Sequence, residues 1–308
     1  MQLIRGLHYS PPYLSGCALT IGNFDGVHLG HQAILRHLRQ KANALNLPMA
    51  VMLFEPQPRE YFMGDKAPAR LMRLRDKLHY LAQAGVDVVI VAKFDRTFAN
   101  LPAEQFIEDW LVRKLNGKFL SIGDDFKFGA KRLGNFAMLQ QAGKRFGFEV
   151  EDSRTFCLDE LRISSTAIRE ALAKDDLQHA QNLLGKPYRI FGRVIHGNKL
   201  GRTIGFPTAN VRLHRQVNPV KGVYAVKVRL KSGEIFNGVA NMGKRPTING
   251  TIQLLEVHLF DFSQNIYGQM IEVEFCHKIR DEIKFPSFEA LKAQIEQDVK
   301  TAKAFFAK

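Results

Sequence analysis

The sequence predicts two domains of different fold class: an α/β domain over residues 1–185, and a small antiparallel β-barrel with a terminal helix over residues 186–308. Predicted strands and helices alternate through the first part, which is the pattern of a Rossmann-like parallel sheet. After Lys186-Pro187 the period changes, and short apolar runs follow one another with turn residues but no helices between them. A length of 308 residues is sufficient for two domains of ordinary size.

The first domain contains five apolar runs that predict strands, separated by helical patterns. The predicted strands are Ala18–Ile21, Met49–Phe54, Val86–Val91, Phe119–Gly123 and Phe148–Asp152. One predicted helix begins at Ala33, and the others cover Leu71–Ala84, Pro102–Leu115, Asn135–Phe146 and Asp175–Leu184. Ligands of such sheets bind at the carboxyl ends of the strands, so the loops after the strands are the expected place for a site.

The second domain contains short runs with the period of strands. The predicted strands are Tyr188–Ile195, Gly222–Leu230, Ile235–Met242, Ile252–Phe260 and Met270–His277. Lys231–Glu234 predicts a hairpin turn, and Ser287–Phe305 predicts a final helix. The apolar stripe of that helix consists of Phe288, Leu291, Ile295 and Val299.

Composition excludes several classes of protein. No apolar run is long enough for a transmembrane helix, and the N-terminus lacks the apolar core and cleavage site of a signal peptide. Cys17, Cys157 and Cys276 are odd in number and far apart, and no C-x-x-C occurs. This indicates a cytoplasmic protein without a disulfide framework or a zinc site.

The first candidate site is a turn between the first predicted strand and the first predicted helix. Its sequence from Thr20 to Gln32 is T-I-G-N-F-D-G-V-H-L-G-H-Q. Glycines allow the backbone to turn tightly and to approach a ligand; they are Gly22, Gly26 and Gly30. His28 and His31 lie where a helix N-terminus favours phosphate, and two imidazoles there can donate hydrogen bonds to a triphosphate.

A second segment with phosphate-binding character begins a further predicted helix, whose apolar face contains Ile168 and Leu172. Its sequence is R-I-S-S-T-A-I-R, from Arg162 to Arg169. Serine and threonine cap helix starts, and Arg169 falls one turn after Ser165, so hydroxyls, free N–H groups and a guanidinium can surround one phosphate. A capped helix with a surface arginine is the structural alternative. The P-loop motif and the G-x-G-x-x-G fingerprint are both absent.

These two segments together resemble a known family. H-L-G-H resembles the H-x-G-H signature of the nucleotidylyltransferase superfamily, and Ile163–Arg169 resembles its I-S-S-T-x-x-R signature. The longer string G-N-F-D-G-V-H-L-G-H-Q resembles the flavin-adenylating branch, the N-terminal module of bacterial bifunctional riboflavin kinase/FMN adenylyltransferases. The resemblance implies catalytic roles for His28, His31 and Arg169. It also implies ATP contacts from Gly22, Asn23, Phe24, Ser164, Ser165 and Thr166.

The resemblance also implies a flavin site in this domain. Pro56 and Pro58, in the loop after the second predicted strand, would form one wall, although a plain rigid turn is an alternative. Asp25 and Asp125 would contact the flavin or the nucleotide. The family often has Asn where Asp125 stands and Arg where Lys127 stands, and an aspartate can accept a hydrogen bond there but cannot donate one.

The second domain carries a glycine-rich segment, G-N-K-L-G-R-T-I-G-F-P-T-A-N, from Gly197 to Asn210. Its glycines could wrap phosphates, while Thr208 and Asn210 supply oxygen ligands suited to magnesium. A structural glycine-rich loop is the alternative. G-x-P-T-A-N resembles the riboflavin kinase signature, and Gly238–Thr247 resembles the second loop of that family. The resemblance assigns ATP and its Mg²⁺ to Gly197, Lys199, Gly201, Thr208 and Asn210.

A catalytic base is expected on the predicted strand Leu254–Phe260. Alternation places Glu256 and His258 on one face and the apolar residues on the other. A glutamate there could deprotonate an alcohol that attacks a γ-phosphate, and the kinase family carries its base at this position. An outward-facing surface glutamate is the alternative. Candidate flavin contacts are Phe206, Phe285, Phe288 and Arg280.

The sequence therefore predicts an enzyme that phosphorylates riboflavin to FMN in its C-terminal domain and adenylylates FMN to FAD in its N-terminal domain, with ATP and Mg²⁺. One alternative is a nucleotidylyltransferase for another substrate, with the barrel as a binding module. The other is a nucleic-acid-binding protein, suggested by the net charge of +14. Lysine and arginine are spread along the chain without a basic run of five, which disfavours nucleic acid; oligomeric state is not predicted.

Overall fold

The computed structural model of the chain describes residues 1–6, 15–123, 125–153, 163–197, 201, 205–213, 217–247 and 250–308, with the backbone alone for 244–247 and 250–252. Two compact units result. The first comprises Met1–Pro68 and Met72–Ser164, and the second comprises Ala69–Leu71 and Ser165–Lys308. This division by contacts differs from the boundary at 185/186, which follows the change in period and stays a prediction.

The first unit contains a six-stranded sheet in which every pair is parallel, as predicted. Its strands are β1 (Gln2–Arg5), β2 (Cys17–Ile21), β3 (Met49–Glu55), β4 (Val88–Lys93), β5 (Gly117–Ile122) and β6 (Glu149–Asp152). The order is β1-β4-β3-β2-β5-β6. The chain leaves β2 towards β3 on one side, while β5 pairs on the other, so the carboxyl end of β2 is the topological switch point where ligands of such sheets bind.

Helices connect these strands. They are α1 (Leu29–Ala44), α2 (Pro58–Met63), α3 (Leu74–Gln83), α4 (Arg96–Ala99), α5 (Ala103–Gln105) and α6 (Phe136–Phe146). A π-helical stretch, Phe106–Lys114, continues α5 within the single helix predicted there. Successive residues of one strand enter different core clusters, as Leu19 and Ala18 do, so the sheet is buried on both faces. That burial explains why its strands are continuous apolar runs.

The second unit begins with α7 (Ser165–Ala173) and α8 (Leu177–Leu184) and continues as a closed antiparallel barrel. The barrel strands are β7 (Arg189–Ile195), β8 (Ala209–Arg212), β9 (Gly222–Arg229), β10 (Ile235–Thr247), β11 (Gly250–Leu259) and β12 (Met270–Arg280). Their order is β10-β11-β8-β7-β12-β9. The predicted barrel is confirmed, with β8 as an additional strand at the end of the glycine-rich segment.

The terminal helix α9 (Phe288–Phe306) begins at Ser287, whose side chain accepts a hydrogen bond from the N–H of Ala290. Ala302 of this helix clusters with Val223 and Val239, which lie on the outer face of the barrel. Phe288, expected on the apolar stripe, is half exposed at the first turn. Among the described residues, no helix has both the length and the apolar character needed to cross a membrane.

Candidate active sites

The first site is the turn at the carboxyl end of β2. His28 is the N-cap of α1, and its Nδ1 accepts a hydrogen bond from the N–H of His31 at 3.3 Å. The two imidazole rings are stacked with their centroids 3.6 Å apart. The structure therefore brings the two predicted histidines together at the N-terminus of a 16-residue helix, where free N–H groups favour an anion.

The start of the second predicted segment lies beside this turn. A Cβ atom on Gly30 would stand 3.3 Å from the carbonyl oxygen of Ile163 and 3.2 Å from Nδ1 of His28. A glycine is therefore needed for this close approach. Ser164 follows in the same unit, whereas Ser165, Thr166 and the rest of α7 belong to the second unit.

Arg169 is anchored within the second unit, because its Nε donates a hydrogen bond to the carbonyl of Ala69. Its role at a phosphate, together with Ser165 and the two histidines, stays a prediction. Arg162 lies outside the described residues.

The backbone of the turn is strained. Phe24 has φ 46° and Val27 has φ 40°, the left-handed region that side chains disfavour, most of all β-branched ones. Such conformations persist only where the surroundings enforce them. Here the N–H of Val27 donates to the carbonyl of Phe24 at 3.2 Å, and Nε2 of Gln32 donates to the carbonyl of Val27 at 3.0 Å.

Two buried charged residues support the turn from below. Lys77 of α3 is 1% exposed, and its ammonium donates a hydrogen bond to the carbonyl of Asn23. Asp25 is 2% exposed, and its Oδ1 accepts a hydrogen bond from the N–H of Met72 at 3.0 Å. One carboxylate oxygen of Asp25 therefore accepts a hydrogen bond within the first unit. The contact of Asp25 with flavin stays a prediction. Lys77 was not singled out from the sequence, although it lies one turn before Leu81 on the buried face of its helix.

The predicted flavin wall has an aromatic extension. Pro56 follows β3, and Pro58 is the first residue of α2. That helix exposes Tyr61, Phe62 and Met63, with Phe62 68% exposed. The ring of Phe94 lies edge-on to Tyr61 at 5.4 Å and to Phe62 at 5.7 Å. An exposed apolar group of this size is typical of a binding surface, and its sequence signal is the run Y-F-M after Pro58.

Asp125 lies in the loop after β5 on the same edge of the sheet as the turn. The chain reverses there, since the N–H of Phe126 donates to the carbonyl of Gly123 at 2.9 Å. Oδ1 of Asp125 lies 2.9 Å from where a Cβ on Gly123 would stand, so the carboxylate is folded back over that glycine. Asp124 lies outside the described residues.

The second site follows from the register of the barrel. Antiparallel pairing places Glu256 of β11 directly opposite Asn210 of β8 on one side and opposite Asn241 of β10 on the other. Directly paired residues point to the same face with Cβ atoms about 5 Å apart. Leu255 and Val257 are fully buried inside, so Glu256 faces outward, as alternation predicts. We call Asn210, Glu256 and Asn241 the polar row.

Glycines of the preceding loop approach the predicted metal ligands closely. A Cβ on Gly197 would stand 2.4 Å from Nδ2 of Asn210, which is 6% exposed. A Cβ on Gly201 would stand 2.3 Å from the carbonyl oxygen of Phe206 and 3.4 Å from Oγ1 of Thr208. Glycine is therefore needed at both positions for these close approaches. Lys199 lies outside the described residues.

A pocket of about 380 Å³ adjoins Thr208. This volume is within the usual range for small-molecule sites. Its walls include Pro207, Val257, Phe262, Ile266 and Tyr267, together with Thr208. The Tyr267 ring stacks on His196 with centroids 4.0 Å apart. The segment 262–267 was not singled out from the sequence, where it looks like an ordinary loop between two strands.

Arg280 lies further along the outer face. Asn241 pairs with Val223 of β9, and Val223 pairs with Arg280 of β12. The guanidinium makes a bidentate contact with Asp298, Nε to Oδ1 at 2.9 Å and Nη2 to Oδ2 at 2.8 Å, and stands 5.5 Å from the centroid of Phe285. Asp298 therefore fixes Arg280 and Phe285 stands beside it; the flavin contacts of Arg280 and Phe206 stay predictions.

The cysteines that the structure describes are poor nucleophiles. Burial raises the pKa of the Cys17 thiol to about 12 and that of Cys276 to about 11. Both stay protonated at neutral pH, so neither supplies a thiolate. Cys157 lies outside the described residues.

Both halves of the chain match known families. Residues 10–167 match the family model of FAD synthetase, and residues 184–306 match that of riboflavin kinase. The bifunctional riboflavin kinase/FMN adenylyltransferase of Haemophilus influenzae is 83% identical over 99% of both chains. The enzyme of that name from Escherichia coli K12 is 57% identical over 99% of this chain and 98% of its own. A crystal structure of a macrolide-efflux protein from Streptococcus pneumoniae is 31% identical, with a TM-score of 0.77 over 97% of both chains.

Proposed function

Because the chain belongs to the family of bifunctional riboflavin kinase/FMN adenylyltransferases, we propose that its two reactions take place at the two sites described above. The chain phosphorylates riboflavin to FMN and adenylylates FMN to FAD, with ATP as co-substrate of both steps. The observation that supports the assignment of the kinase site is the polar row, in which a glutamate is flanked by two asparagine side chains.

In the kinase reaction, Glu256 accepts the proton of the riboflavin 5′-hydroxyl while its oxygen attacks the γ-phosphorus of ATP. A new O–P bond forms, the bond from that phosphorus to the β-phosphate oxygen breaks, and ADP leaves. The backbone at Gly197 and Gly201 approaches the phosphates, with Lys199 as a further predicted contact. The pocket beside Thr208 receives the adenine.

The residues present fit a magnesium ion. Thr208 and Asn210 offer oxygen atoms, and two glycines leave room for phosphates beside them. Mg²⁺ is usually bound by one or two protein oxygens together with phosphates and water. Bound there, it would neutralise charge on the transferring phosphoryl group.

In the adenylyltransferase reaction, a phosphate oxygen of FMN attacks the α-phosphorus of ATP, and pyrophosphate leaves. His28 and His31 donate hydrogen bonds to the charge that develops on the phosphates, and ATP lies against Gly22, Asn23 and Phe24. The predicted contributions of Ser164, Ser165, Thr166 and Arg169 belong to this step. FMN contacts Pro56, Pro58 and Asp125, and the aromatic side chains of α2 extend that surface.

The test follows flavins by chromatography after riboflavin, ATP and Mg²⁺ are added to the protein. We expect FMN first and then FAD. Glu256→Gln should slow FMN formation by at least about 100-fold, because it removes the base but preserves size. With FMN supplied, the same variant should form FAD at the normal rate.

Glu234→Gln is a matched control, because Glu234 lies in an exposed turn and its carboxylate accepts a hydrogen bond from the Ser232 hydroxyl. It should leave both rates unchanged. A Glu256→Gln enzyme that phosphorylates riboflavin at the normal rate would show that the base lies elsewhere.

A further inference from the structure

Asn241 carries a hydrogen-bond acceptor that no described residue uses. Its side-chain Oδ1 is buried and has no hydrogen-bond partner in the part of the chain that the structure describes. Leaving a buried polar atom unpaired is costly, so such atoms are usually satisfied, and exceptions often mark functional positions. Asn241 lies directly opposite Glu256, which places this acceptor beside the proposed base.

The order of residues along the polar row gives the two substrates opposite sides of Glu256. Asn210, with Thr208 two residues before it, lies on one side, where ATP and its metal are proposed to bind. Phosphoryl transfer requires the attacking and leaving oxygens to be roughly in line, on opposite sides of the transferred phosphorus. Because ATP and its metal are proposed to occupy the Asn210 side of the row, the position left beside Glu256 for the attacking alcohol is the side of Asn241.

The rest of that side suits a flavin. Continuing along the outer face, Val223 separates Asn241 from Arg280, whose guanidinium is fixed by Asp298 beside the ring of Phe285. The spacing between directly paired strands makes the distance from Asn241 to Arg280 about 10 Å. A ribityl chain beginning near Glu256 would thus pass Asn241 before the isoalloxazine ring reaches Arg280.

We propose that Oδ1 of Asn241 accepts a hydrogen bond from a ribityl hydroxyl of riboflavin and so holds the 5′-hydroxyl against Glu256. The ribityl chain consists of consecutive carbons that carry hydroxyls, each of which can donate to such an acceptor. Asn241 is then a substrate-binding residue that distinguishes a polyhydroxylated side chain from the bare flavin ring. This inference rests on the proposed roles of Glu256 and Asn210.

The test is Asn241→Leu, which keeps the size of the side chain and removes the amide. The KM for riboflavin should rise about tenfold, because a hydroxyl loses its partner at a buried position. The KM for ATP should stay within twofold, because ATP lies on the other side of Glu256. Lumiflavin, a flavin without the ribityl chain, should inhibit wild type and variant with equal inhibition constants.

Asn218→Leu is the matched control. Asn218 also has a buried Oδ1 without a partner among the described residues, but its Nδ2 bonds Gln253, which is not in the polar row. This variant should leave the KM for riboflavin unchanged even if it lowers stability, since KM does not depend on the fraction of folded enzyme.

Three results would overturn the proposal. An unchanged KM for riboflavin would show that Asn241 contacts no substrate hydroxyl. An equal loss for riboflavin and lumiflavin would place the contact at the ring, and a rise in the KM for ATP alone would reverse the order of the substrates. Failure of the underlying site assignment is seen separately, because Glu256→Gln would then retain normal phosphorylation.

Discussion

The two proposed active sites hold their reactive groups in place by different physical means. In the first unit, His28 and His31 lie after a turn with left-handed residues, and that turn is held by buried charges beneath it. In the second unit, Glu256 lies on a barrel strand, and its neighbours are set by strand register. Geometry at the first site therefore depends on buried charged side chains that support the turn, whereas geometry at the second depends on the hydrogen-bonded ladder of the barrel.

The second unit also contains a charged cluster, which is partly buried and lies on the face of the barrel opposite to the polar row. The Tyr224 hydroxyl donates to Oδ1 of Asp175, which lies in the turn between α7 and α8. The ammonium of Lys278 contacts both carboxylate oxygens of Asp175 at 3.0 Å. Tyr224 is fully buried inside the barrel. Its neighbour Val223 faces outward and packs in the cluster with Ala302 of the terminal helix. This charged cluster is therefore expected to stabilise the fold without affecting either reaction.

The largest effect is expected from His28→Ala. Removing a group that stabilises charge on the phosphates typically costs a factor of about 100 to 1,000 in rate, so FAD formation from FMN should fall by that amount. Riboflavin phosphorylation should stay within twofold, because it takes place in the other unit. Both rates can be measured on one preparation by chromatography of flavins.

His37→Ala is the control for this variant. His37 lies on the same helix but faces Glu151, with Nε2 3.2 Å from the carboxylate. It should leave both rates within about twofold of wild type. Equal losses in FMN and FAD formation after His28→Ala would contradict the separation of the two sites.

Much of the fold could be predicted because burial leaves a period in the sequence. The strands of the sheet are buried on both faces and form continuous apolar runs, and β11 alternates clearly enough to place Glu256 outward. Several elements were missed for identifiable reasons. β1 has one buried residue, Ile4, and β8 ends the glycine-rich segment. α2 has one proline before it and another at its first position, and α4 is a single turn of four residues.

Of the candidate site residues, only those within recognisable motifs could be predicted from the sequence. The two histidines and the threonine-asparagine pair belong to strings with a family resemblance. Asn241 acquires meaning only from its pairing with Glu256, and register between distant strands cannot be read from one sequence. Lys77 was missed because lysine is almost never fully buried, so a lysine on a buried helix face looks like an exception to the pattern.

A smaller effect is expected from Lys77→Met, which preserves the length of the side chain and removes the ammonium. The carbonyl of Asn23 loses its donor, the strained turn relaxes, and the histidines move relative to the phosphates. Small displacements of reacting groups can cost up to about 100-fold in rate, and we expect about a tenfold loss in FAD formation. Riboflavin phosphorylation should be unchanged.

The exposed Lys144 on α6 provides the control, because Lys144→Met removes the same charge without touching the turn. It should change neither rate. If Lys77→Met lowers the melting temperature but leaves the kcat for FAD formation intact, the turn does not depend on the charge beneath it, and the contrast between the two sites fails.

The smallest effect on activity is expected from Tyr224→Phe. The kinetic constants of both reactions should stay within twofold, because Tyr224 lies on the face of the barrel opposite to the polar row. The free energy of unfolding should fall by about 2 kcal/mol near neutral pH, since one hydrogen bond to a carboxylate is lost. Thermal unfolding at a fixed pH measures this difference.

The pH dependence of that difference identifies its cause. Burial, and then the neighbouring Asp175, raise the pKa of Tyr224 above its usual value of 10.0. The folded state therefore holds the phenolic proton more tightly than the unfolded state, and the stabilisation is fully present below pH 10. Above pH 10 the unfolded chain ionises first, so the advantage of wild type over Tyr224→Phe should shrink as pH rises. If the stability difference between wild type and Tyr224→Phe instead grew with pH, the phenol would be ionised in the folded barrel. The charge of Lys278, rather than that of Asp175, would then control the protonation state of Tyr224.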